Sequence, residues 1–192
     1  TVITKCPKFW RRRELLLNFI KILMTKLIIG LTGPEGAGKG EAAKVLQKRG
    51  FKYYSFSDIL RQELKRKKIE ENIDNLISLG NNLRAKEGAG VLGKRIARII
   101  KRSQGRKFVV DSLRHPQEIH ELKKLNGFRL LLINAPQSTR YSRIKTRKRA
   151  GDDVSFSKFK KQEQFQKRGR GAQAQLTNCF KLADYKIYNN KT

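Results

Sequence analysis

Short apolar runs alternate along this chain with longer stretches whose apolar residues recur at helical spacing. The first run, KLIIGLT at residues 26–32, is followed by Gly-Pro, a pattern typical of a buried β-strand. Further short runs of strand character follow at residues 51–56, 107–111, 128–134 and 185–188. Because helical stretches separate these runs, the pattern predicts an α/β protein with a parallel sheet covered on both faces. Its ligand crevice is expected at the carboxyl ends of the strands.

The helical stretches also predict how the domain is organised. Helices are expected at residues 41–49, 59–65, 72–87, 89–102, 116–125, 136–149 and 172–183. The second, third and fourth of these form a helical insert, because they fall between the second and third strands. Ser57 or Asp58 is expected to cap the helix that begins at residue 59. Residues 150–171 are polar and bounded by glycine, which indicates a mobile flap.

The sequence GPEGAGKG at residues 33–40 carries the clearest chemical signal, since it joins the first strand to the first helix. Its G-x-x-x-x-G-K spacing predicts a phosphate-binding loop and hence a nucleotide-binding protein. Glycines let backbone N–H groups turn inward around phosphates, and Lys39 reaches the β- and γ-phosphate oxygens. Gly40 stands where a Ser or Thr hydroxyl normally meets the metal, so Mg²⁺ must be held by other groups. The predicted nucleotide contacts are Gly33, Pro34, Glu35, Gly36, Ala37, Gly38, Lys39, Gly40 and Glu41.

Asp58 and Arg61, in SFSDILR, lie three residues apart and share a face of the helical turn that follows the second strand. Asp58 is a candidate to orient Mg²⁺-bound water or to act as a base, and Arg61 to clamp an acceptor phosphate. The alternative is that Asp58 is a helix cap and Arg61 a solvated side chain.

The third strand ends in VVDSLRHP, at residues 109–116. A carboxylate at a strand end is the usual metal-side group of phosphate-loop enzymes, so Asp111 is expected to reach Mg²⁺ directly or through water. Arg114 is expected to face the same crevice. The alternative for Asp111 is a helix cap, and His115 is expected to be a loop residue rather than a catalyst.

The predicted helix at 136–149 carries Arg140, Arg143, Arg147 and Arg149. Arg143 and Arg147 are four residues apart and share a helix face, so both are expected to meet a triphosphate. A closing flap that brings in arginines would neutralise the spread charge of phosphoryl transfer and exclude water. The general basicity of the chain is the alternative explanation for this cluster.

Net charge changes the picture of possible partners. Lys+Arg number 45 against 16 Asp+Glu, a charge of +29 that exceeds the need of one phosphate site. It favours polyanions such as RNA, ribosomes or acidic membrane surfaces, although a basic proteome bias explains it equally well. The two cysteines, Cys6 and Cys179, fit neither a disulfide framework nor a metal cluster, which predicts a reducing, cytoplasmic setting.

Residues 1–24 differ in character from the rest of the chain. A basic WRRR head precedes an apolar stretch at 15–23, which is too short and too interrupted to span a membrane. Met24 is the only methionine and directly precedes the first strand. We hypothesise that the core protein starts at Met24 and that the residues before it, in the basic N-terminal extension at 1–24, are an upstream extension. The rival hypothesis is a basic amphipathic helix on a membrane surface.

Taken in order, GPEGAGKG, SFSDILR, DSLR and APQSTRYSRIKTR resemble the nucleoside monophosphate kinase group, which includes adenylate kinases. The segments LGNNLRAKEGAGVLGKRI and GAQAQLTNCFKLADYKIYNN are more similar to dephospho-CoA kinase-like proteins and to the kinase-like domain joined to some deoxycytidylate deaminases. The resemblance covers residues 25–190 and implies a three-layer P-loop kinase fold with a five-stranded parallel sheet of order 2-3-1-4-5. It also implies an acceptor-binding helical insert at about 57–105 and a short lid at about 147–171.

The same resemblance implies roles for single residues. It gives phosphate binding to Lys39, acceptor phosphate contacts to Arg61 and Arg114, metal-side roles to Asp58 and Asp111, and lid roles to Arg143, Arg147 and Arg149. The expected catalytic set is Lys39, Asp58, Arg114, Arg143 and Arg147. The deaminase's zinc motif is absent from this sequence, so deamination is not expected.

The sequence therefore predicts a kinase that uses ATP and Mg²⁺ on a nucleotide-like acceptor, with a (deoxy)nucleoside monophosphate favoured. A monophosphate offers an ionised oxygen, so Arg61 and Arg114 would clamp it and no base is needed. A ribose hydroxyl, as in dephospho-CoA, must lose a proton, and Asp58 would then be the base. A third hypothesis, motivated by the charge, is an ATP-dependent switch that binds RNA or ribosomes.

Overall fold

A computed structural model of the chain describes residues 25–147 and 153–190. Five parallel strands form one sheet in the order β2-β3-β1-β4-β5, which confirms the predicted fold. In chain order the strands are β1 Leu27–Thr32, β2 Lys52–Ser55, β3 Lys107–Asp111, β4 Phe128–Asn134 and β5 Tyr185–Tyr188. The predictions for residues 1–24, Met24 and Arg149 fall outside the described residues.

Eight helices connect and cover these strands within the described residues. They are α1 Lys39–Lys48, α2 Phe56–Arg66, α3 Ile73–Glu87, α4 Val91–Arg102, α5 Pro116–Lys123, α6 Gln137–Arg147, α7 Phe156–Arg168 and α8 Leu176–Lys181. Most lie where the apolar spacing predicts a helix, but α8 is shorter than the predicted 172–183.

Helix α7 lies within the stretch that was expected to be a flap, and apolar spacing did not predict it. It begins after Ser155, whose hydroxyl accepts a hydrogen bond from the backbone N–H of Lys158 at 3.2 Å. Its buried positions are Phe159, Glu163 and Gln166, so two of the three are polar. A hydrophobic pattern cannot reveal a helix whose inner face is held by polar contacts.

The two faces of the sheet pack against separate hydrophobic clusters. Phe108 and Val110 face the larger cluster, whereas Val109 between them faces the smaller one, as the alternation along a strand requires. The larger cluster includes residues of the helical insert α2–α4, such as Leu60 and Ile96. Edge strand β5 is exposed along its whole length. The insert is therefore anchored to the main core of the sheet.

A buried ion pair fixes the insert to the rest of the domain. Arg84 of α3 contacts Glu118 of α5 at 2.8 Å, and their side chains are 5% and 0% exposed. At the far end of α4, the Lys26 ammonium donates to the carbonyl of Ser103 at 2.6 Å. Cations near the last carbonyls of a helix are stabilising, so the residue just before β1 also holds the end of α4.

Candidate functional site

The loop at residues 33–38 joins β1 to α1 and packs tightly against neighbouring backbone. At Gly36 the backbone φ is +74°, and an added Cβ would lie 2.5 Å from the carbonyl oxygen of Arg140. At Gly33 an added Cβ would lie 2.0 Å from the carbonyl oxygen of Ile133. Real side chains do not come so close, so both positions require glycine for this loop shape.

Lys39 folds back over the loop that precedes it. Its ammonium donates to the carbonyl oxygens of Gly33 at 2.9 Å and of Pro34 at 2.8 Å. Burial lowers the pKa of Lys39 to about 8, with the charge of nearby Asp111 acting in the opposite direction and that of Arg114 reinforcing the shift. Among the described residues, the hydrogen-bond partners of this amine are two uncharged carbonyl groups, so its charge is available to a polyphosphate at the loop.

Gly40, at the position of the missing hydroxyl, lies in open space. It is exposed, and an added Cβ would meet no atom within 4 Å. The neighbouring Glu41 is exposed and pairs with Lys44 of the same helix at 2.8 Å. The absence of a Ser or Thr at residue 40 therefore has no packing reason.

A cavity of about 530 Å³ opens beside the phosphate loop, between the insert and the main domain. Apolar side chains of α2 and α3, including Leu60, Leu76 and Ile77, form part of its wall. Its charged and amide lining consists of Glu35, Asp58, Arg61, Glu71, Asn72, Asn81, Arg84, Arg114, Arg147 and Gln166. Five predicted site residues, namely Glu35, Asp58, Arg61, Arg114 and Arg147, are thus brought to one cavity.

Asp58 and Arg61 form an ion pair at the cavity wall. The Arg61 guanidinium contacts the Asp58 carboxylate at 2.7 Å and Glu71 at 2.8 Å. Burial acts to lower the pKa of Arg61, but the hydrogen bonds to Glu71 and Asp58 outweigh it and the pKa is raised. The residue that caps α2 is Ser55, so the prediction of Ser57 or Asp58 as the cap is wrong. The reason is that β2 passes directly into α2, without the short loop that the sequence suggested.

The end of β3 makes a sharp turn that places Arg114 at the cavity. Asp111 is buried, and its carboxylate accepts the backbone N–H of Ser112, which has a φ of +67°. The backbone N–H of Arg114 donates to Glu118, and its guanidinium donates to the side-chain oxygen of Gln166. Asp111 does not line the cavity itself, and it lies close enough to Lys39 to act on that amine's pKa.

His115 caps helix α5 in a capping box with Glu118. Its Nδ1 accepts the backbone N–H of Gln117 at 3.1 Å, and its Nε2 lies 2.9 Å from the carbonyl oxygen of Gly171. Burial lowers the pKa of this imidazole. The side chain therefore has a structural position at a helix end.

Helix α6 braces the phosphate loop with three arginines. Arg140 is buried and pairs with Glu163 of α7 at 2.6 Å, while it also donates to the carbonyl oxygen of Glu35 at 3.2 Å. Arg143 donates to the carbonyl oxygen of Gly36 at 3.5 Å. Arg147 pairs with the Glu35 carboxylate at 2.7 Å. The helix predicted to carry lid arginines thus contacts the loop itself.

The acidic loop residue Glu35 lies among positive charges. Desolvation acts to raise its pKa, but the charges of Arg114, Arg147 and Lys39 outweigh it and the pKa is lowered. The carboxylate therefore stays ionised at neutral pH and offsets part of the positive charge at the mouth of the loop.

Several residues of the site were not predicted from the sequence. Gln166 and Glu163 of α7 hold arginines, Glu118 holds the turn after β3, and Asn189 closes on the phosphate loop. The Asn189 side chain donates to the carbonyl oxygen of Ala37 at 3.1 Å, across 152 residues of sequence. The contacts of Gln166, Glu163 and Asn189 join residues far apart in sequence, so spacing could not reveal them. Glu118 is different, because it contacts Arg114 and His115 within four residues as part of the capping box at the start of α5.

Metal-binding and membrane features are limited in the part of the chain that the structure describes. No group of three or more His, Cys, Asp or Glu side chains there could by itself hold a metal ion. In residues 25–147 and 153–190 no helix has the length and apolar character needed to cross a membrane.

Comparisons with known proteins add a family and a fold. A family model described as "AAA domain" matches residues 32–160. A UPF0200 protein from Hyperthermus butylicus is 32% identical over 164 residues, which cover 85% of this chain and 86% of the relative. A UPF0200 protein from Pyrococcus abyssi is 30% identical over 169 residues, which cover 85% and 88%. Nothing in these matches adds to the hypothesis of RNA or ribosome binding, which rests on charge alone.

Solved structures of shikimate kinases are similar in fold. The enzyme from Acinetobacter baumannii, in complex with shikimate, has a TM-score of 0.53 and 14% identity, with 90% of this chain and 88% of that chain covered. The enzyme from Bacteroides thetaiotaomicron has a TM-score of 0.54 and 12% identity, with 84% and 86% covered. Such low identities establish the fold alone. The chain therefore has a P-loop kinase-like fold, belongs to the UPF0200 family and matches the AAA domain family.

Proposed function

We propose that this protein is a kinase that transfers the γ-phosphoryl group of ATP to a small phosphorylated acceptor, with a (deoxy)nucleoside monophosphate favoured. The observation that carries the proposal is the arrangement of two adjacent anion-binding features. A glycine-rich loop with Lys39 over it lies beside a separate cavity lined by Arg61, Arg114 and Arg147. Phosphoryl transfer needs one site for the donor's phosphates and one for the acceptor, held close together.

The donor side would be formed by the loop and α1. Backbone N–H groups of the loop and the positive end of α1 would bind the phosphates, and Lys39 would leave its two carbonyls to contact them. Bound Mg²⁺ would neutralise charge on the phosphate oxygens. Asp111 fits as the protein ligand, directly or through water, because Mg²⁺ in such sites takes one or two carboxylates and completes its shell with phosphates and waters.

The acceptor side would be formed by the insert, residues 57–105, which we propose as the acceptor-binding segment. The cavity of about 530 Å³ is of the size that small-molecule sites usually have. Its apolar wall suits a planar ring, and its arginines suit a phosphate. Asp58 is paired with Arg61 at 2.7 Å, an arrangement that favours an orienting role for Asp58 and hence an already ionised acceptor.

A ribose hydroxyl acceptor of the dephospho-CoA type is the second candidate, because the Asp58 carboxylate lines the cavity and a hydroxyl needs a base. Asp58→Asn separates the two candidates. A severe loss of turnover with ATP binding kept supports a base, whereas a small loss supports the monophosphate.

The test of the proposed function is a coupled ADP-release assay with ATP and Mg²⁺ against AMP, CMP, dCMP, UMP, GMP, dTMP and dephospho-CoA. We expect one acceptor to raise ADP release far above the background hydrolysis, and Lys39→Met to abolish that increase. If no acceptor raises ADP release in the wild-type protein, the kinase proposal is wrong for this panel. Binding of RNA with a steep salt dependence would then favour the charge-based hypothesis.

A further inference from the structure

The arginines around the cavity differ in what neutralises them. Three of them contact carboxylates: Arg61 contacts Asp58 and Glu71, Arg84 contacts Glu118, and Arg147 contacts Glu35. Arg114 is different. Among the described residues, its guanidinium has no carboxylate within salt-bridge distance, and its side-chain partner is the neutral amide of Gln166. The Glu35 carboxylate is near enough to interact with the charge of Arg114, but its direct contact is with Arg147.

Gln166 contacts Arg114 from a buried position on α7. Its side chain is buried, with 4% of the residue exposed, on the inner face of α7. One helical turn earlier on the same face, Glu163 holds Arg140 with a carboxylate, at 2.6 and 3.0 Å. One helix therefore holds two arginines, one with a charged partner and one with an uncharged partner.

The backbone of Arg114 is fixed as well, so the direction of its side chain depends on Gln166. Its N–H donates to Glu118 at 3.2 Å, and its carbonyl oxygen accepts the N–H of Gln175 at 2.7 Å. The hydrogen bond to Gln166 uses the Nη1 atom of the guanidinium. A guanidinium has five N–H donors, so the others remain for a fork-shaped contact with an oxyanion.

We propose that Gln166 is a positioning residue that directs Arg114 into the cavity without neutralising it, so that Arg114 is the principal anchor for the anionic group of the acceptor. The class of ligand is an oxyanion, most simply the phosphate of a phosphate monoester. This inference rests on the proposed function for its placement at the acceptor. It adds which arginine holds the anion and which residue orients that arginine without a carboxylate contact.

The decisive variant is Gln166→Glu, because it preserves shape and changes only charge. A carboxylate at this position pairs with Arg114 and repels an incoming anion. We expect the KM for the acceptor found in the ADP-release panel to rise at least tenfold, with the KM for ATP within twofold of wild type. The matched control is Gln164→Glu, which makes the same charge change on an exposed position of the same helix and should leave both values within twofold.

A purely structural role for Gln166 makes the opposite prediction. A glutamate pairs with arginine at least as strongly as an amide does, so packing alone would leave the acceptor KM unchanged. An unchanged acceptor KM in Gln166→Glu, or equal effects in the two glutamate variants, would overturn the proposal. If Gln166→Glu fails to fold, Gln166→Met takes its place: it removes the holder without adding charge, and it should raise the acceptor KM with the KM for ATP kept. An unchanged acceptor KM in that variant would also overturn the proposal.

A binding measurement separates failure of this inference from failure of the proposed function. Inorganic phosphate is titrated calorimetrically into Lys39→Ala protein, in which the lysine of the phosphate loop is removed, and into Lys39→Ala/Gln166→Glu. Phosphate binding that weakens at least tenfold in the double variant supports the anchor even if no acceptor in the panel is phosphorylated. Equal binding by the two proteins, or no binding by either, contradicts it.

Discussion

Replacing Glu163 with alanine should destabilise this protein far more than the loss of an ordinary surface ion pair. Glu163 holds the guanidinium of Arg140 through two hydrogen bonds, and the two side chains are 6% and 3% exposed. Among the described residues, the substitution leaves a buried cation whose remaining hydrogen-bond partners are the carbonyl oxygens of Ala135 and Glu35, with the ring of Phe159 at 5.6 Å. Removing one member of a buried pair costs about 3–5 kcal/mol. For a chain of this length that corresponds to a fall in Tm of about 6–20 °C.

The assay is urea and thermal unfolding of wild-type protein, Glu163→Ala and a matched control. The control is Glu87→Ala, which removes the partner of Arg95 from a pair of similar distance, 2.8 Å, whose side chains are 37% and 40% exposed. An exposed pair contributes about 0–1 kcal/mol to stability, so the control should have a free energy of unfolding close to that of the wild-type protein. The double variant Arg140→Met/Glu163→Met should recover most of the lost stability, because it leaves no unpaired buried charge. Lys167, which also contacts Glu163, has a side chain that is 36% exposed and can be solvated by water.

Lowering the pH should reduce the difference in the free energy of unfolding between Glu163→Ala and the wild-type protein. Desolvation acts to raise the pKa of Glu163, but the hydrogen bonds from Arg140 and Lys167 outweigh it and the pKa is lowered. A lowered carboxyl pKa contributes stability at neutral pH that is lost as the pH falls through the folded-state pKa. If Glu163→Ala costs less than about 1 kcal/mol at neutral pH, in the range of an exposed pair, the reasoning from burial is refuted.

Three further predictions concern the phosphate loop. Gly36→Ala should abolish tight ATP binding, measured by calorimetry, because its Cβ would lie 2.5 Å from the carbonyl oxygen of Arg140 at a φ of +74°; wild-type affinity would show that the loop is not held in this shape. Gly40→Ser should fold normally, since an added Cβ meets no atom within 4 Å, and it should lower the Mg²⁺ concentration needed for half-maximal ATP binding; an unchanged Mg²⁺ requirement would argue against metal at residue 40. Lys39 has a pKa of about 8, so at pH 8.5 much of the free protein carries a neutral amine. Bound ATP favours the charged amine, so binding should take up protons, and the affinity for ATP should fall as the pH rises. Calorimetry in buffers of different ionisation enthalpy measures that uptake, and heats independent of buffer would contradict it.

The fold was predictable because its signals are local or carried by an ordered set of motifs. The G-x-x-x-x-G-K spacing gives the phosphate loop directly, and the resemblance of the motifs to nucleotide kinases gives the strand order. Helix α7 was missed because its inner face holds Glu163 and Gln166, which a hydrophobic pattern treats as surface residues. The sequence predicts the cap of α2 two or three residues too late, because no sequence signal indicates that β2 ends at Ser55 without a following loop.

The candidate site was predictable only in part, for a related reason. Asp58, Arg61 and Arg114 follow strand ends, so topology alone brings them to one edge of the sheet. The pairing of Arg114 with Gln166 spans 52 residues and involves an amide, a side chain that carries no charge pattern. Which cavity arginines pair directly with a carboxylate, and which one contacts an amide instead, is a property of the folded chain, because it depends on the partner that each guanidinium meets.

The contact between Asn189 and the phosphate loop has a consequence for the synthesis of this protein. The loop is synthesised early, but Asn189, whose side-chain amide donates to the carbonyl oxygen of Ala37, is added 152 residues later. At ribosomal speeds of about 5–20 residues per second, the interval is about 8–30 s. During that time the nascent chain carries a glycine-rich loop without its final support, and β5 is also not yet in place beside β4. Nucleotide therefore meets the completed loop only after Asn189 and β5 have left the ribosome.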